Sequence, residues 1–487
     1  MRRAALIPAL LLLAGCATGP DYRRPLPPGG SAPQSFVDPG LTRVLPGPAE
    51  GQWWRLFRDP VLDRLVRDAL AHNPDVRAAS ANLRRARAIV RETRAGRFPT
   101  GEVSAGYTRQ RLGSEQAQAS GAPDGTVEDS EFDFFTAGLD ASYELDLFGR
   151  VGRAIEASRA DAAAAEAALD AARVSIAAET ARTYAQACGF AAQGQVARET
   201  AQLQDRTLAL TRRLFEAGRG TRREVDQATV LAENARAQAP TFEGERRAAL
   251  YALATLTGRP PAELDADASR CAAPPAVATL IPVGDGAALL ARRADVREAE
   301  RRLAADTARI GVATAALYPS IRLLGSISLG AADIGDLGSA SSLNYSLGPL
   351  ISWSFANLGV ARARIAQAQA GADESLARFD AAVLTALREV EQALARYASA
   401  LEANASLRRA ESAASNAARI AELRFTSGRD SFLQRLDAER ERAAARAALA
   451  RSDADIAEAQ VALFKALGGG WEGAVQPTRL AAPAQGR

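Results

Sequence analysis

The chain contains two similar stretches, and this internal repeat is the feature that most restricts its fold. Residues 74–100 and 294–320 align without a gap at a constant offset of 220. The residues of the first copy that recur in the second are Asp75, Val76, Arg77, Ala79, Leu83, Ala88, Ala95 and Pro99. The elements predicted around both copies follow in the same order. Each half is therefore expected to build the same unit, the first at 59–258 and the second at 287–468.

Each half contains two segments in which apolar and polar residues alternate. The predicted strands are 100–112 and 134–148 in the first half, and 320–330 and 343–356 in the second. Between 135 and 147 the odd-numbered residues are apolar, and the even-numbered ones are Thr136, Gly138, Asp140, Ser142, Glu144 and Asp146. A period of two indicates a sheet with one apolar face. Such a sheet is either soluble with that face buried, or part of a transmembrane barrel.

The length of these strands and the residues at their ends favour the barrel. About 13 residues at ~3.3 Å each, tilted by ~45°, cover roughly the 30 Å of a bilayer core. Tyr143, Phe148, Trp353 and Phe355 lie where a barrel carries its aromatic girdle. The smallest spanning barrels need about eight strands, and an open edge cannot face lipid. Four strands per chain therefore predict a barrel shared between copies of the chain.

Two predicted helices are too long for a compact globule. Residues 151–217 contain no proline, and they and residues 359–427 would each extend roughly 100 Å at ~1.5 Å per residue. The second run carries apolar residues spaced alternately by four and three, which are Val383, Leu387, Val390, Leu394, Tyr397 and Leu401. This spacing is typical of a coiled coil, and a soluble coiled coil is the alternative. Both runs, however, begin directly after a membrane-type strand.

Each long helix is followed by a break and a shorter return helix, predicted at 221–257 and 432–467. At the breaks, Gly218 and Gly428 suit a left-handed C-terminal position, and Thr221 and Ser431 suit the N-cap of the return helix. The return helices span only ~55 Å at ~1.5 Å per residue.

The repeated stretches supply the missing length as helices at 75–97 and 294–317, stacked end to end on the return helices. The proline-rich segment 259–286 then forms a belt at mid-height, and 469–487 is a tail.

The N-terminus has the pattern of an export signal. Residues 1–15 begin with arginines, continue with an apolar run too short to span a bilayer, and end in small residues. The residues Leu-Ala-Gly-Cys that end at Cys16 resemble a bacterial lipobox, which implies cleavage before Cys16 and acylation of that residue. An ordinary signal peptide with an incidental cysteine is the alternative. Ala17 favours the outer membrane, and 16–58 is expected to be an acylated linker.

Composition argues against nucleic-acid binding and catalysis. The formal net charge is +3 in 487 residues, and no basic patch is interleaved with aromatic residues. The one histidine, His72, is expected at a helix end as a capping or surface residue. The chain has no nucleophile elbow, P-loop, dinucleotide fingerprint or metal-ligand cluster. We therefore expect no enzyme, no metal and no cofactor.

The ordered series of strand pair, long helix, tip, return helix and belt, present twice, resembles the TolC-like outer-membrane factor family. Within it, the acylated channel subunits of tripartite efflux systems with an RND-type pump match best. The resemblance covers the mature chain and includes WWRLFRDPVLDRLV at 53–66, YELDLFGRVGRAIEAS at 143–158, and both tips, at 214–226 and 423–437.

This resemblance implies a mostly α-helical fold with transmembrane β-strands. Three chains would form a twelve-stranded barrel, four strands each, continued by a long periplasmic α-helical barrel. The homotrimer would join a periplasmic adaptor and an inner-membrane antiporter. It would sit in the lipid of the outer membrane, anchored by its acyl group, and pass drugs or other small molecules outward.

The resemblance also implies site residues at the tips. Asp430 matches the family position at which a ring of carboxylates narrows the closed periplasmic entrance, and the alternative is that Asp430 simply N-caps the return helix. The residues expected to meet the adaptor are Gly218, Arg219, Gly220, Thr221, Gly428, Arg429 and Ser431. For these residues plain turn chemistry is the alternative. On the sheet, Asp140, Glu144 and Asp146 would place acids in the lumen, unless they are solvated surface acids.

Two questions stay open at this stage. Export places Cys188 and Cys271 in an oxidising compartment, where they form either a disulfide between helix and belt or two free thiols; the resemblance does not explain them. The function could also be that of a protein-secretion duct of type I, although the acyl anchor favours efflux. A periplasmic coiled-coil adaptor would need a lipoyl-like β-domain, which the sequence does not supply.

Overall fold

The structure is a computed structural model that describes residues 18–30, 36, 44–45, 47, 50–112 and 130–470. The predicted signal peptide, the predicted acylation site Cys16 and all but two residues of the predicted C-terminal tail lie outside the described residues. In the described part of the chain, none of the helices combines the length and apolar character needed to cross a bilayer.

The chain divides into two compact units, and each takes segments from both sequence repeats. Of the described residues, the strand unit comprises 18–24, 84–112, 130–163 and 300–377. The helical unit comprises the described residues of 25–83, together with 164–299 and 378–470.

The main elements follow the order of the predicted repeat. The strands are β1 (Thr100–Leu112), β2 (Ser130–Leu145), β3 (Ser320–Ala331) and β4 (Leu343–Ser352). The helices are α1 (Pro60–His72), α2 (Pro74–Ala95), α3 (Arg150–Glu216), α4 (Arg222–Leu256), α5 (Gly286–Arg292), α6 (Ala294–Ala315), α7 (Leu358–Thr426) and α8 (Phe432–Ala466). The long and return helices begin and end within one residue of their predicted positions. The belt segment contains a short 3₁₀ turn and two residues, 281–282, that pair in parallel with 44–45.

Two strands end earlier than alternation predicts, because local capping and turn formation take over. The carboxylate of Asp146 accepts hydrogen bonds from the backbone N–H groups of Val151 and Gly152 at 2.9 and 2.7 Å, so it caps the start of α3. The expectation that Asp146 is a lumenal acid is therefore wrong. After β4, residues 355–357 form a 3₁₀ turn instead of continuing the strand.

The four strands form one antiparallel sheet in the order β1-β2-β3-β4. Its register aligns the odd-numbered residues of all strands on one face: Val103 pairs with Leu139, Leu139 with Ile327, and Ile327 with Tyr345. The predicted alternation in all four segments thus produces one continuous apolar face. In the described residues β1 and β4 each pair on one side only, so a single chain leaves two open edges.

The apolar face of the sheet is not covered by the rest of the described chain. Val103, Tyr345 and Leu347 keep about four fifths of their accessible surface, at 81%, 81% and 79%. A soluble sheet with one buried face requires these positions to be covered. Of the two readings of the strand pattern, the structure therefore favours contact with lipid or with other copies.

In the helical unit, the return helix α4 meets the repeated helix α2 end to end. Asn73 is buried between them: its Oδ1 accepts hydrogen bonds from the N–H groups of Asp75 and Val76, and its Nδ2 donates to the carbonyl of Leu256 at 3.1 Å. One side chain thus caps the start of α2 and the end of α4. Beside it, Gly258 adopts φ +74°, and a Cβ there would lie 2.7 Å from the carbonyl oxygen of His72.

The second half makes the same junction with a different side chain. Arg293 stands 220 residues after Asn73, and its Nη1 donates to the carbonyl of Ala466 at the end of α8, at 3.0 Å. Arg293 is 7% exposed and pairs with Asp295 at 2.6 Å and with Glu389 of α7 at 2.7 Å. Burial acts to raise the pKa of Asp295, but the hydrogen bonds from Arg293 outweigh it and hold the pKa below its usual value.

The belt is tied to the helical unit at three points. Gln460 of α8 exchanges two hydrogen bonds of 3.0 Å with the backbone of Val277. Arg64 of α1 donates two hydrogen bonds, of 2.5 and 3.1 Å, to the carboxylate of Asp265. The third tie is covalent: Cys188 of α3 and Cys271 form a disulfide with their Cα atoms 5.2 Å apart. Cys188 lies in the main hydrophobic core, which also contains Trp53 stacked on Phe464.

We expect Leu347→Arg to prevent insertion of the chain into lipid vesicles. Leu347 is in the middle of β4 on the apolar face, where an arginine at the bilayer midplane costs about 2–4 kcal/mol. Gly348→Arg is the matched control, because the next residue points to the opposite face and a Cβ there meets nothing within 4 Å. The inserted fraction, measured by protease protection, should fall only for the first variant. Equal insertion of both variants would contradict the assignment of the faces.

We expect the double variant Cys188→Ala, Cys271→Ala to lower the thermal unfolding midpoint. The bond closes a loop of sequence separation 83, for which chain entropy gives about 4–5 kcal/mol. A reductant should lower the midpoint of the natural chain to the same value and leave the double variant unchanged. Free thiols at both positions in non-reducing mass spectrometry of the exported protein would show that the belt is not tied in this way.

Candidate functional sites at the helical tips and the sheet

The first tip joins α3 to α4 through a left-handed glycine and a capping box. Gly218 has φ +71°, and the N–H of Arg219 donates to the carbonyl of Leu214 at 2.8 Å, which closes the end of α3. Thr221 caps α4 by accepting from the N–H of Glu224, whose carboxylate accepts from the N–H of Thr221 at 2.7 Å. The predicted glycine conformation and N-cap are confirmed.

The second tip repeats this design between α7 and α8. Gly428 has φ +72°, and the N–H of Arg429 donates to the carbonyl of Arg424 at 2.9 Å. Ser431 forms the capping box with Gln434, which confirms the predicted N-cap. The alternative reading of Asp430 as the N-cap of the return helix is therefore wrong.

Asp430 is held by an arginine of its own tip. The Nε of Arg424 donates to its carboxylate at 2.8 Å, and the Asp430 side chain is only 13% exposed. The guanidinium of Arg424 thus compensates the negative charge of Asp430, on which the predicted carboxylate ring at the entrance depends. Any ring of Asp430 carboxylates would be a ring of ion pairs.

Behind the second tip lies a buried polar network that the sequence analysis missed. Arg435 is 7% exposed and forms ion pairs with Glu422 of α7 and with Glu439 at 3.2 Å, and its guanidinium lies 5.1 Å from the ring centre of Phe425. Glu439 also accepts a 3.0 Å hydrogen bond from Thr207 of α3. The network links three helices near the tips. The four-residue spacing of Arg435 and Glu439 was a signal for their pairing, but their burial depends on packing that spacing does not show.

A groove between α4 and α8 begins next to both N-caps. It encloses about 600 Å³ and is lined by Arg223, Asp226, Gln227, Val230, Leu231, Leu433, Leu436, Asp437 and Arg440. Val230 and Leu433 are more than half exposed at its wall. An apolar floor with charged edges is the form of a groove that accepts a helix.

The even-numbered face of the sheet is polar. One row across it runs Glu102, Asp140, Ser326 and Ser346. Of the acids predicted to face the lumen, Asp140 is exposed on this face, whereas Glu144 is engaged by Arg150 through hydrogen bonds of 2.8 and 2.7 Å.

The segment that follows the predicted acylation site is attached to the strand unit. Thr18 donates through its hydroxyl to the carbonyl of Phe148 at 2.9 Å, and Arg153 pairs with Asp21 at 2.7 Å. Gly19 approaches Gly311 so closely that a Cβ on Gly19 would lie 2.5 Å from the Cα of Gly311. The chain is therefore fixed two residues after Cys16, at the junction of β2 and α3.

The residues of the predicted sites do not converge on a catalytic constellation. His72 lies at the end of α1 with Nδ1 3.0 Å from the carbonyl oxygen of Asp68. The described residues contain no group of three or more His, Cys, Asp or Glu side chains arranged to hold a metal ion. The arrangement provides surfaces and a polar face, which are the parts of a conduit.

Comparison with known proteins agrees with this architecture. The family model described as outer membrane efflux protein matches residues 65–259 and 287–469. The chain is 32% identical over 481 residues to the solvent efflux pump outer membrane protein SrpC of Pseudomonas putida, covering 95% of this chain and 97% of that protein. It is 30% identical over 471 residues to the cation efflux system protein CusC of Escherichia coli, covering 95% and 97%.

A solved structure resembles the chain over nearly its whole length. The outer-membrane channel OprN superposes with a TM-score of 0.86 and 37% sequence identity, covering 94% of this chain and 100% of that one. The family match spans both repeats, and the structural match includes strands and helices alike. The chain belongs to the outer membrane efflux protein family.

Proposed function

We propose that three copies of this chain form the outer-membrane exit duct of a tripartite pump, which passes small molecules from the periplasm to the exterior. The observation that carries the proposal is the sheet: an exposed apolar face, a polar face behind it, and two edges that pair on one side only. An open strand edge cannot remain in lipid, because its N–H and C=O groups find no partner there. Closure with other copies satisfies both edges and places the polar face in a lumen.

Three copies supply twelve strands, which is within the range of known spanning barrels. The same trimer gathers six tips, two from each chain. We assign the tips and the groove between α4 and α8 to the periplasmic adaptor, which joins the duct to the inner-membrane antiporter. The groove supports this assignment because its lining begins at Arg223 and Leu433, two residues after the N-caps Thr221 and Ser431 that were predicted to meet the adaptor.

Transport by such a duct does not require catalysis or a tight substrate site. SrpC is named for solvents and CusC for cations, so similar chains serve chemically different cargoes. We infer that this chain likewise conducts what its pump delivers and does not select strongly by itself. These relatives carry efflux names, which supports small-molecule efflux over protein secretion.

We also propose that Asp430 narrows the closed entrance, with Arg424 as its regulator. Three carboxylates on a trimer axis repel one another and attract cations. Because Arg424 contacts Asp430 at 2.8 Å in its own chain, it weakens that cation site. Rotation of Arg424 away from Asp430 would expose the full charge of the ring.

The purified chain should migrate as a trimer and produce uniform single-channel steps in a planar bilayer. The physical reason is that only a closed barrel is stable in lipid and only a continuous lumen conducts ions. Light scattering in detergent and conductance recordings measure the two properties. A monomer without conductance would exclude the duct, and Leu347→Arg serves as the control that should remove the channel signal.

Asp430→Asn and Arg424→Gln should change cation block in opposite directions. The first variant removes the carboxylate and should weaken the block by an added divalent cation about tenfold, an effect of ~1.4 kcal/mol. The second removes the competing guanidinium and should strengthen the block. Both are measured as half-blocking concentrations in single-channel recordings. An unchanged block in Asp430→Asn, or a weaker block in Arg424→Gln, would contradict the proposed gate.

A further inference from the structure

Two arginines without acid partners line one cavity between α3 and α8. The cavity has a volume of about 170 Å³ and is lined by Glu199, Thr200, Gln202, Leu203, Arg206, Arg442, Ala443 and Arg446. In the described part of the chain, Arg206 and Arg442 form no hydrogen bond or ion pair. Arg206 lies on α3 and Arg442 on α8, and neither residue is part of a tip.

The one acid of this cavity is already engaged. Glu199 accepts from Arg446 at 2.5 Å and from the Nε2 of Gln195 at 2.9 Å. The hydrogen bond from Gln195 has the larger effect on the pKa of Glu199 and that from Arg446 the next, and both lower it. Glu199 therefore stays ionised and bound to Arg446 at neutral pH. The lining therefore carries an excess of two positive charges.

The contacts on either side keep the like charges together. The pair of Arg446 and Glu199 joins α8 to α3 beside the cavity, and the hydrogen bond from Thr207 to Glu439 joins the same helices about two turns nearer the tips. Arg206 and Arg442 lie between these two contacts along α3 and α8, so the helix segments that carry them are held beside each other. A negative group in the cavity removes their repulsion.

We propose that this cavity binds a small polyvalent oxyanion, either inorganic phosphate or a short dicarboxylate. Guanidinium groups bind carboxylate and phosphate oxygens through paired hydrogen bonds, and two of them on facing helices can hold one anion from both sides. A volume of about 170 Å³ leaves room for a small anion of this kind. Gln202 lines the cavity beside them and carries a side-chain amide that can donate to an anion, whereas the Thr200 hydroxyl already donates to the carbonyl of Val196.

The anion acts as a brace between two helices that lead to different tips. α3 ends at the first tip and α8 begins at the second, so a ligand held by Arg206 and Arg442 joins the two tips within one chain. Without it, the repulsion between these arginines favours separation of α3 from α8. This site is independent of the cargo and of the proposed ring at Asp430.

Calorimetric titration of the purified full-length trimer with inorganic phosphate, at low ionic strength, tests the site. We expect one saturable site per chain and a phosphate-dependent rise in the thermal unfolding midpoint. The double variant Arg206→Gln, Arg442→Gln should bind phosphate at least tenfold more weakly and lose that rise. A parallel titration with succinate distinguishes a tetrahedral oxyanion from a dicarboxylate as the better ligand.

Arg212→Gln, Arg213→Gln is the matched control, because it removes the same charge from α3 outside the cavity. It should bind phosphate like the natural chain. If both double variants bound phosphate equally weakly, the loss would be due to the change in net charge, and the proposed site would be overturned. If neither phosphate nor succinate bound the natural trimer saturably, the proposed site would be overturned as well. An acidic side chain of a neighbouring copy that filled the cavity would give this result.

Discussion

The open edges of a four-stranded sheet are the constraint on which the rest of this molecule depends. Lipid provides no hydrogen-bond partner for a free strand edge, so the sheet is stable in a membrane only as part of a closed cylinder. The register supports that closure, because it aligns one apolar face across all four strands. Oligomerisation is thus part of the folding of the membrane segment and not a later addition to a finished monomer.

The internal repeat solves a second geometrical problem. A helix of 67 or 69 residues, such as α3 or α7, needs a neighbour of comparable length, and a return helix of 35 residues is too short. The chain adds a second helix to each return helix and seals the joint with one buried polar side chain. The stretch repeated at residues 74–100 and 294–320 is therefore explained by the need to extend a short helix.

Much of the fold could be predicted because its signals are local. Apolar periodicity located the long helices, and Gly218, Gly428, Thr221 and Ser431 located their ends within one residue. Asp146 was misassigned because alternation was followed past a residue whose capping of α3 ends the strand. The groove, the cavity and the burial of Arg435 depend on which helix faces which, and no spacing in a single helix contains that information. The pairing of Asp430 with Arg424 was missed although both lie in one tip.

The two helix joints show how duplicated halves can diverge without losing shape. Asn73 completes its joint with neutral hydrogen bonds, which neither ionic strength nor acid alters directly. Arg293 completes the equivalent joint with two carboxylates, and the depressed pKa of Asp295 means that this stabilisation is present above the ordinary pKa of an aspartate and is lost as the pH falls through the lower folded value. The hydrogen bonds of Asn73 therefore hold the first joint in acid, whereas the ion pairs of Arg293 weaken there, so the second joint is the one that loses stabilisation first.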